Sequence, residues 1–580
     1  MYALVRIARN RDTARVYWRS GRRPHNDNRS EFPHSRATVW NLLRQGSKPS
    51  DRVLLLTAGN FFELGQWSFK LIANIVSNAD SNLPGGISGT RERAFVGLLC
   101  LLAAVHVFVF SAAFPFFNNV DEQIHFDLVV KWSQGHVVRA LEPVSDEAVR
   151  YIVLYGSPEY VGIPTNAPDG QFAPPPWKQP LEKVRPALIA RTLTWRAVTN
   201  YEVSQPPLYY ALAGLWWRLG EVCGFHDGYL LYWLRFLNVF FIAALVWLGF
   251  AAARMIFPDN LFLQLGVPAL IAFMPQTAFY SIQNDVLSPL CFGAAFILLV
   301  RWLQAELPGV RPGIFAGLAL AATFLTKISN APLLAVSALA VLLKVWRLFR
   351  VEKLRAATSA ILSFALCAGL PIALWLVWCR INFGDFTGSE AKVKFLGWTP
   401  KPFAEWWHHP VFTLHGFWVF LSGNLATLWQ GEFLWHRQPL AIREVDSIYA
   451  ILSVGLVALA LVALLQRPAV TTTSQWQVLM FALGCLVAVL AFFGWLSIIY
   501  DFQNCFYPSR AHPYFTSGRL LLGALIPFLL LFLFGLDQVL VRFSNSAKFF
   551  ILTGLILFML ISEVTVDWTV FANPYNWFHL

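Results

Sequence analysis

The residues best placed to do chemistry are acids and cations sitting where long apolar runs meet water. Between Phe114 and Gly135 the chain reads FPFFNNVDEQIHFDLVVKWSQG, so Asp121, Glu122 and His125 follow directly on a hydrophobic run. With Asn119 as helix cap, these three stand three and four apart and share one face. Asn284 and Asp285 open a later apolar run, Lys327 closes one, Arg380 ends one and Arg519 opens one. Ionisable residues at such depths are costly to hold and mark functional sites. A carboxylate at the water interface serves as a general base, and lysine or arginine at headgroup depth suits phosphate. A base beside a phosphate clamp, open to bilayer and water, fits group transfer from a lipid phosphate. The bland alternatives are a helix cap for Asp285, worth about 1 kcal/mol, and snorkelling for Lys327. The convergence of anions and cations on one face favours the chemical reading. Asp121, Glu122 and Asp285 also suit Mg2+ or Mn2+, though no spacing demands a metal. The pair His408-His409 reads as a polar loop feature, and Asp127 as a surface residue.

The elements that must position these groups are membrane helices. Of 580 residues, 56% are hydrophobic and 13% charged, against about 25% charged in a soluble protein. The net charge of +12 comes from an arginine-rich N-terminal region and short basic loops. That is the positive-inside pattern and not a nucleic-acid footprint. Seven scattered cysteines without a CxxC spacing indicate neither zinc nor a disulfide framework. Residues 1–93 read as a basic, disordered cytoplasmic extension and 94–580 as the transmembrane domain. The fold class is an all-α polytopic membrane protein of about 11 spans, at 94–116, 229–253, 262–282, 285–303, 312–326, 331–346, 356–379, 446–466, 476–499, 519–537 and 547–569. With the N-terminus cytoplasmic, every basic cluster falls on one side. The acidic cluster then lies outside, in a long first loop at 118–228 whose run PPLYYALAGLWWRLG reads as an interfacial helix. A second large outside loop covers 381–445, with an apolar patch at 411–429 that is a candidate for re-entrance. The pairs 262–282 with 285–303, and 312–326 with 331–346, read as tight outside hairpins.

The order of Asp-Glu with a nearby His, a QPPLYY helix, a hairpin with NDVL, an LTK hairpin and a late GR opening a span resembles the GT-C fold membrane glycosyltransferases. Among these it is most similar to an uncharacterised bacterial family of predicted multi-pass membrane proteins. The resemblance runs from about 94 to 540, and the late motif departs from it, with Leu520 where tyrosine is common. It implies that Asp121 is the catalytic base with Glu122 and His125 as supports, that Asp285 is a second acid, and that Lys327 and Arg519 hold the lipid phosphate. The implied donor is a polyprenyl-phosphate sugar, and the acceptor a lipid or glycan of the cell envelope. The reaction would take place on the outer side of the bacterial inner membrane. The rival expectations are a transporter or flippase of a lipid-linked saccharide, and a non-catalytic envelope assembly protein.

Overall fold

In hydrocarbon every backbone N–H and C=O must find its partner within the segment or in surrounding protein, so long apolar runs fold as helices. The structure is a computed structural model that describes residues 89–466, 471–503, 505 and 507–580. The expected N-terminal extension lies outside the described residues except for its last five, which open the first helix. Among the described residues nine helices are long and apolar enough to cross a membrane. The chain is a mostly helical polytopic membrane protein.

Helix α1 (Gly89–Ala113) carries Arg91 and Arg93 in its first turns and ends just before Pro115, since the residue before a proline avoids helical backbone. The chain turns through Phe117 and Asp121, both at positive φ, into α2 (Glu122–Ser133). Then come α3 (Asp146–Tyr155), α4 (Leu181–Arg196) and α5 (Leu208–Val222). Strand β1 (Glu142–Pro143) pairs antiparallel with β2 (Thr199–Asn200), tying the two ends of this loop together. The expected interfacial helix is α5, which buries Tyr209, Tyr210, Ala213 and Trp217 on one face, where it packs on α2.

Two of the eleven expected spans fall short of the length of a crossing: 312–326 folds as the 17-residue helix Val310–Thr326, and 262–282 is broken. Helices α6 (Asp227–Arg235) and α7 (Leu237–Ile256) run on as one crossing. The next helix, α8, covers only Leu261–Ala272. Twelve residues rise about 18 Å, short of roughly 30 Å of hydrocarbon. The helix stops before Pro275, and residues 274–287 are irregular, with two 3-10 turns, Thr277–Tyr280 and Asn284–Val286, before α9 (Ser288–Gln304). All fourteen of these residues are buried, and irregular backbone survives at such depth only where protein surrounds it. A structured, buried segment therefore replaces the expected tight hairpin.

Helices α10 (Val310–Thr326), α11 (Ala331–Arg350) and α12 (Leu354–Phe383) follow. The second large loop holds α13 (Ser389–Phe395), β3 (Thr399–Pro400), α14 (Phe403–Trp406) and α15 (Leu414–Gln430), then the hairpin of β4 (Leu434–Trp435) with β5 (Gln438–Pro439). The apolar patch at 411–429 is thus α15, capped by Thr413 and packed on the following helix, α16 (Arg443–Leu465). After α17 (Thr473–Ile499), strand β6 (Tyr500–Asp501) returns to pair with β3. A 3-10 stretch, Gly518–Ala524, leads into α18 (Leu525–Val539), and α19 (Asn545–Phe571) closes the chain. The span Gly518–Val539 is 94% buried and forms the core, whereas Leu354–Phe383 is 17% buried and lies at the periphery.

That peripheral helix is held by close backbone approach. Gly313 and Gly317, four apart on α10, face α12. A Cβ at Gly313 would stand 2.8 Å from the Ala360 carbonyl oxygen, and one at Gly317 2.6 Å from that of Phe364. Small residues at this spacing let membrane helices pack where no hydrophobic force drives them together. Gly317→Val is expected to cost about 1–3 kcal/mol through overpacking, read as a lower unfolding temperature in detergent. Gly369→Ala on α12, where the added methyl meets nothing within 4 Å, should not lower it.

Candidate functional site

At one end of the bundle the loops converge on Arg519, which opens the central span. Burial of a guanidinium demands charge-assisted partners on nearly every donor, and Arg519, 6% exposed, has them. Its Nη2 donates to Asp121 Oδ2 at 2.7 Å and its Nε pairs with Glu432 Oε2 at 2.7 Å. Its Nη1 donates to Gln283 Oε1 at 2.7 Å and to the Val120 carbonyl at 3.1 Å, and stands 3.6 Å from Asp285 Oδ2. Lys327 donates to both oxygens of Asp285 at 2.7 Å. Asn284 donates to Gln205 and to the Thr326 carbonyl, while its buried Oδ1 accepts nothing among the described residues.

Two buried clasps hold the segments that carry these groups. Above, Arg235 forks onto Glu122, with Nε and Nη2 at 2.9 and 2.7 Å from Oε1 and Nη2 at 2.8 Å from Oε2. The same carboxylate accepts from the backbone N–H of Phe117 and of Ile282, so one side chain pins the turn before α2 to the irregular segment 274–287. Below, Tyr280 of that segment donates to Glu563 of α19, which also pairs with His106 of α1 at 2.8 Å. His106 in turn hydrogen-bonds the Ala272 carbonyl where α8 ends.

Asp121 has φ 65° and ψ 2°, the left-handed region, where a short polar side chain is tolerated. Its Oδ1 accepts from Tyr201 at 2.7 Å, and its side chain keeps 20% exposure. Burial alone would raise its pKa. Arg519, Lys392 and His125 outweigh that and hold the carboxyl well below the usual range, so it is ionised at neutral pH. Glu202 pairs with Lys392, whose charge likewise outweighs burial and lowers its pKa. For Glu432 burial prevails over Arg519 and the pKa is raised. His125 is buried against the Tyr210 hydroxyl at 2.7 Å. Burial brings its pKa down to about 4, so the ring is neutral at pH 7.

Of the expected site residues, the structure brings together Asp121, Asp285, Lys327 and Arg519, with Asn284 adjoining. His125 packs beside them on Tyr210. Glu122 opens α2 and turns away from Asp121, which precedes it in the left-handed region, and is occupied by Arg235. Arg380 is exposed and its guanidinium donates to the Gly384 carbonyl, away from the cluster. The helix cap is Asp121 and not Asn119. Asp127 is corrected from a surface residue to a buried one, paired with Lys131 at 2.8 Å and accepting from Asn200 at 2.7 Å. His409 is a loop pin, within 3.0 Å of the Pro513 carbonyl. Among the described residues no three His, Cys, Asp or Glu side chains converge as metal ligands. All three carboxylates suited to Mg2+ or Mn2+ face a cationic side chain of the protein, Asp121 that of Arg519, Glu122 that of Arg235 and Asp285 that of Lys327.

Sequence reasoning missed Arg235, Tyr201, Glu202, Lys392 and Glu432. Arg235 carried a readable signal, because it is a cation inside an apolar run. The others sit in polar loops and carried none.

A family model described as "Predicted membrane protein (DUF2142)" matches residues 104–499. The match takes in Asp121, Asp285 and Lys327, and Arg519 lies beyond it. No curated protein matches the chain.

Removing one partner of a buried ion pair strands the other charge. Arg235→Met is therefore expected to destabilise the protein by about 3–5 kcal/mol, seen as a large drop in unfolding temperature. The His125 pKa, moved from 6.5 to about 4, means that the unfolded chain binds more protons between those values. Stability should then fall as pH drops through that window, by up to about 3 kcal/mol. Thermal unfolding against pH checks this, and His125→Gln should flatten the loss.

Proposed function

The chain belongs to the DUF2142 family of predicted membrane proteins, and on that premise we propose that it is a glycosyltransferase using a polyprenyl-phosphate sugar. The observation that carries this reading is Asp121, an ionised and partly exposed carboxylate held against Arg519 beside the Asp285–Lys327 pair. A sugar donor of this class bears a phosphate at the anomeric carbon. Its phosphate meets Arg519 and Lys327, and an acceptor hydroxyl stands at Asp121. The acceptor oxygen bonds to the anomeric carbon while the bond from that carbon to the phosphate oxygen breaks. The hydroxyl proton passes to Asp121, and the phosphate departs as an anion stabilised by the two cations. Stabilisation of this kind is worth a few kcal/mol.

A carboxylate with so low a pKa is a weak base. Arg519 supplies the remedy in this reading. Its guanidinium is shared among Asp121, Glu432 and Asp285, and a phosphate drawing it away relieves Asp121 of its strongest acidifying neighbour. The base gains strength as the donor binds. The reading also puts the cluster on the extracytoplasmic side of a bacterial inner membrane, because Arg254, Arg301, Arg347 and Arg350 end α7, α9 and α11, which supports a cytoplasmic opposite face.

One observation favours a second reading, a transporter of a lipid-linked saccharide. His106, Glu563 and Asp567 are buried within the spans of α1 and α19, and the short α8 with its irregular continuation resembles the broken helices of transporters. Sealed vesicles separate the two. Transport of a lipid-linked sugar with no covalent product by mass spectrometry would overturn the enzyme reading.

Asp121→Asn should abolish transfer, with the unfolding temperature and the elution profile of the purified protein retained. Arg519→Lys, which loses the fork, should cut transfer by 100-fold or more; Asp121→Asn retaining substantial transfer defeats the assignment of the base.

A further inference from the structure

A polar cleft separate from the Arg519 centre lies beside the β3–β6 pair. It encloses about 380 Å³ and is lined by Lys401, Glu405, His408, Tyr500, Asp501 and Arg510 among others. Its walls are built. The backbone N–H of Lys401 donates to the Ile499 carbonyl at 2.8 Å. Arg510 forks onto Asp501, with Nε at 3.0 Å from Oδ1 and Nη2 at 2.7 Å from Oδ2, and its Nη2 also meets Gln503 at 2.7 Å.

The cleft differs from the Arg519 centre in one respect. There each cation is committed, Arg519 to Asp121 and Glu432, Lys327 to Asp285 and Lys392 to Glu202. In the cleft the half-buried Lys401 ammonium makes no hydrogen bond or ion pair among the described residues, and neither does the Glu405 carboxylate. The Nη1 of Arg510 is likewise unused. Burial lowers the Lys401 pKa, with Asp501 and Glu405 opposing it from a distance. A half-buried ammonium of this kind is stabilised by an incoming anion. The free Glu405 carboxylate suits hydroxyl donors, and the Tyr500 ring supplies an apolar wall.

The cleft is joined to the Arg519 centre by the strap from Tyr507 to Arg519, pinned along its length. The Pro513 carbonyl meets His409 at 3.0 Å, and the Phe515 carbonyl accepts from Asn424 at 3.0 Å. The Thr516 N–H donates to the Tyr507 hydroxyl at 2.6 Å, and Ser517 donates to Glu432 at 2.8 Å. The six residue steps from Pro513 to Arg519 span at most about 20 Å, the reach of a short saccharide.

We propose that this cleft binds an anionic saccharide, a ligand with sugar hydroxyls and one phosphate or carboxylate group, which Lys401 and Arg510 receive. Its role as the acceptor subsite rests on the glycosyltransferase reading above; the binding itself does not.

The test is calorimetric titration of the full chain in lipid nanodiscs with glucose 1-phosphate, glucuronate and glucose. Saturable binding of one or both anionic sugars is expected, with glucose at least tenfold weaker. Lys401→Gln should weaken the anionic sugar at least tenfold, whereas Arg380→Gln, at an exposed arginine outside both polar regions, should leave it within twofold, provided each variant keeps its unfolding temperature. Equal binding by Lys401→Gln, equal binding of glucose, or an equal loss in Arg380→Gln would overturn the proposal. Should Lys401→Gln unfold, Glu405→Gln carries the same test through the hydroxyl contacts, with a loss of threefold or more expected and no change overturning it. Wild-type protein that binds in this way but transfers no sugar would overturn the glycosyltransferase reading and uphold the cleft.

Discussion

One buried guanidinium governs this end of the molecule. Arg519 draws together Asp121 from the first loop, Asp285 from the irregular segment after α8 and Glu432 from the second loop. Removed from water, none of these carboxylates is tolerable unpaired, and neither is the arginine. The position of each loop therefore depends on the same charge. The arrangement also explains why Asp121 is strongly acidic while Glu432 is not. Asp121 has Lys392 and Tyr201 as further partners and stays partly exposed, whereas burial dominates at Glu432.

Around this centre the protein spends its other buried charges on position. Glu122 with Arg235, and Glu563 with His106 and Tyr280, clamp the segment 274–287 from two sides. Buried pairs of this kind are weak evidence of stability, since desolvation offsets much of their attraction. Their effect here is to fix irregular backbone where no helix supplies hydrogen bonds. That backbone carries Gln283, Asn284 and Asp285 to the site, which a continuous helix through 262–282 would have directed elsewhere.

A division of labour follows between the two polar regions. At the Arg519 centre the cations are committed to internal carboxylates, so a ligand must exchange with an existing partner. In the cleft near Lys401 a cation stands open. The first arrangement suits a group whose binding alters the chemistry of its neighbours, and the second suits recognition. The strap from Tyr507 to Arg519 ties the two together, so a ligand long enough to touch both would lie along one continuous, hydrogen-bonded piece of chain.

The sequence by itself determined the membrane class, the helical architecture and most of the span positions, because the cost of burying polar backbone in hydrocarbon is written directly into composition and run length. It also marked Asp121, Asp285, Lys327 and Arg519, since an ionisable residue at the end of an apolar run stands out from its surroundings. It did not mark Glu432, Tyr201, Glu202 or Lys392, which look like any polar loop residues until the loops are folded against one another. Nor did it separate Glu122 from Asp121, two neighbouring acids with opposite surroundings. Only the tertiary structure decided which acid meets which cation, because pairing between residues hundreds of positions apart depends on loop paths that no local periodicity encodes. The opening stretch is the clearest case. Adjacent in sequence, Asp121 faces the site and Glu122 faces the interior, and the left-handed turn at Asp121 that parts them is held by Arg519 on one side and Arg235 on the other.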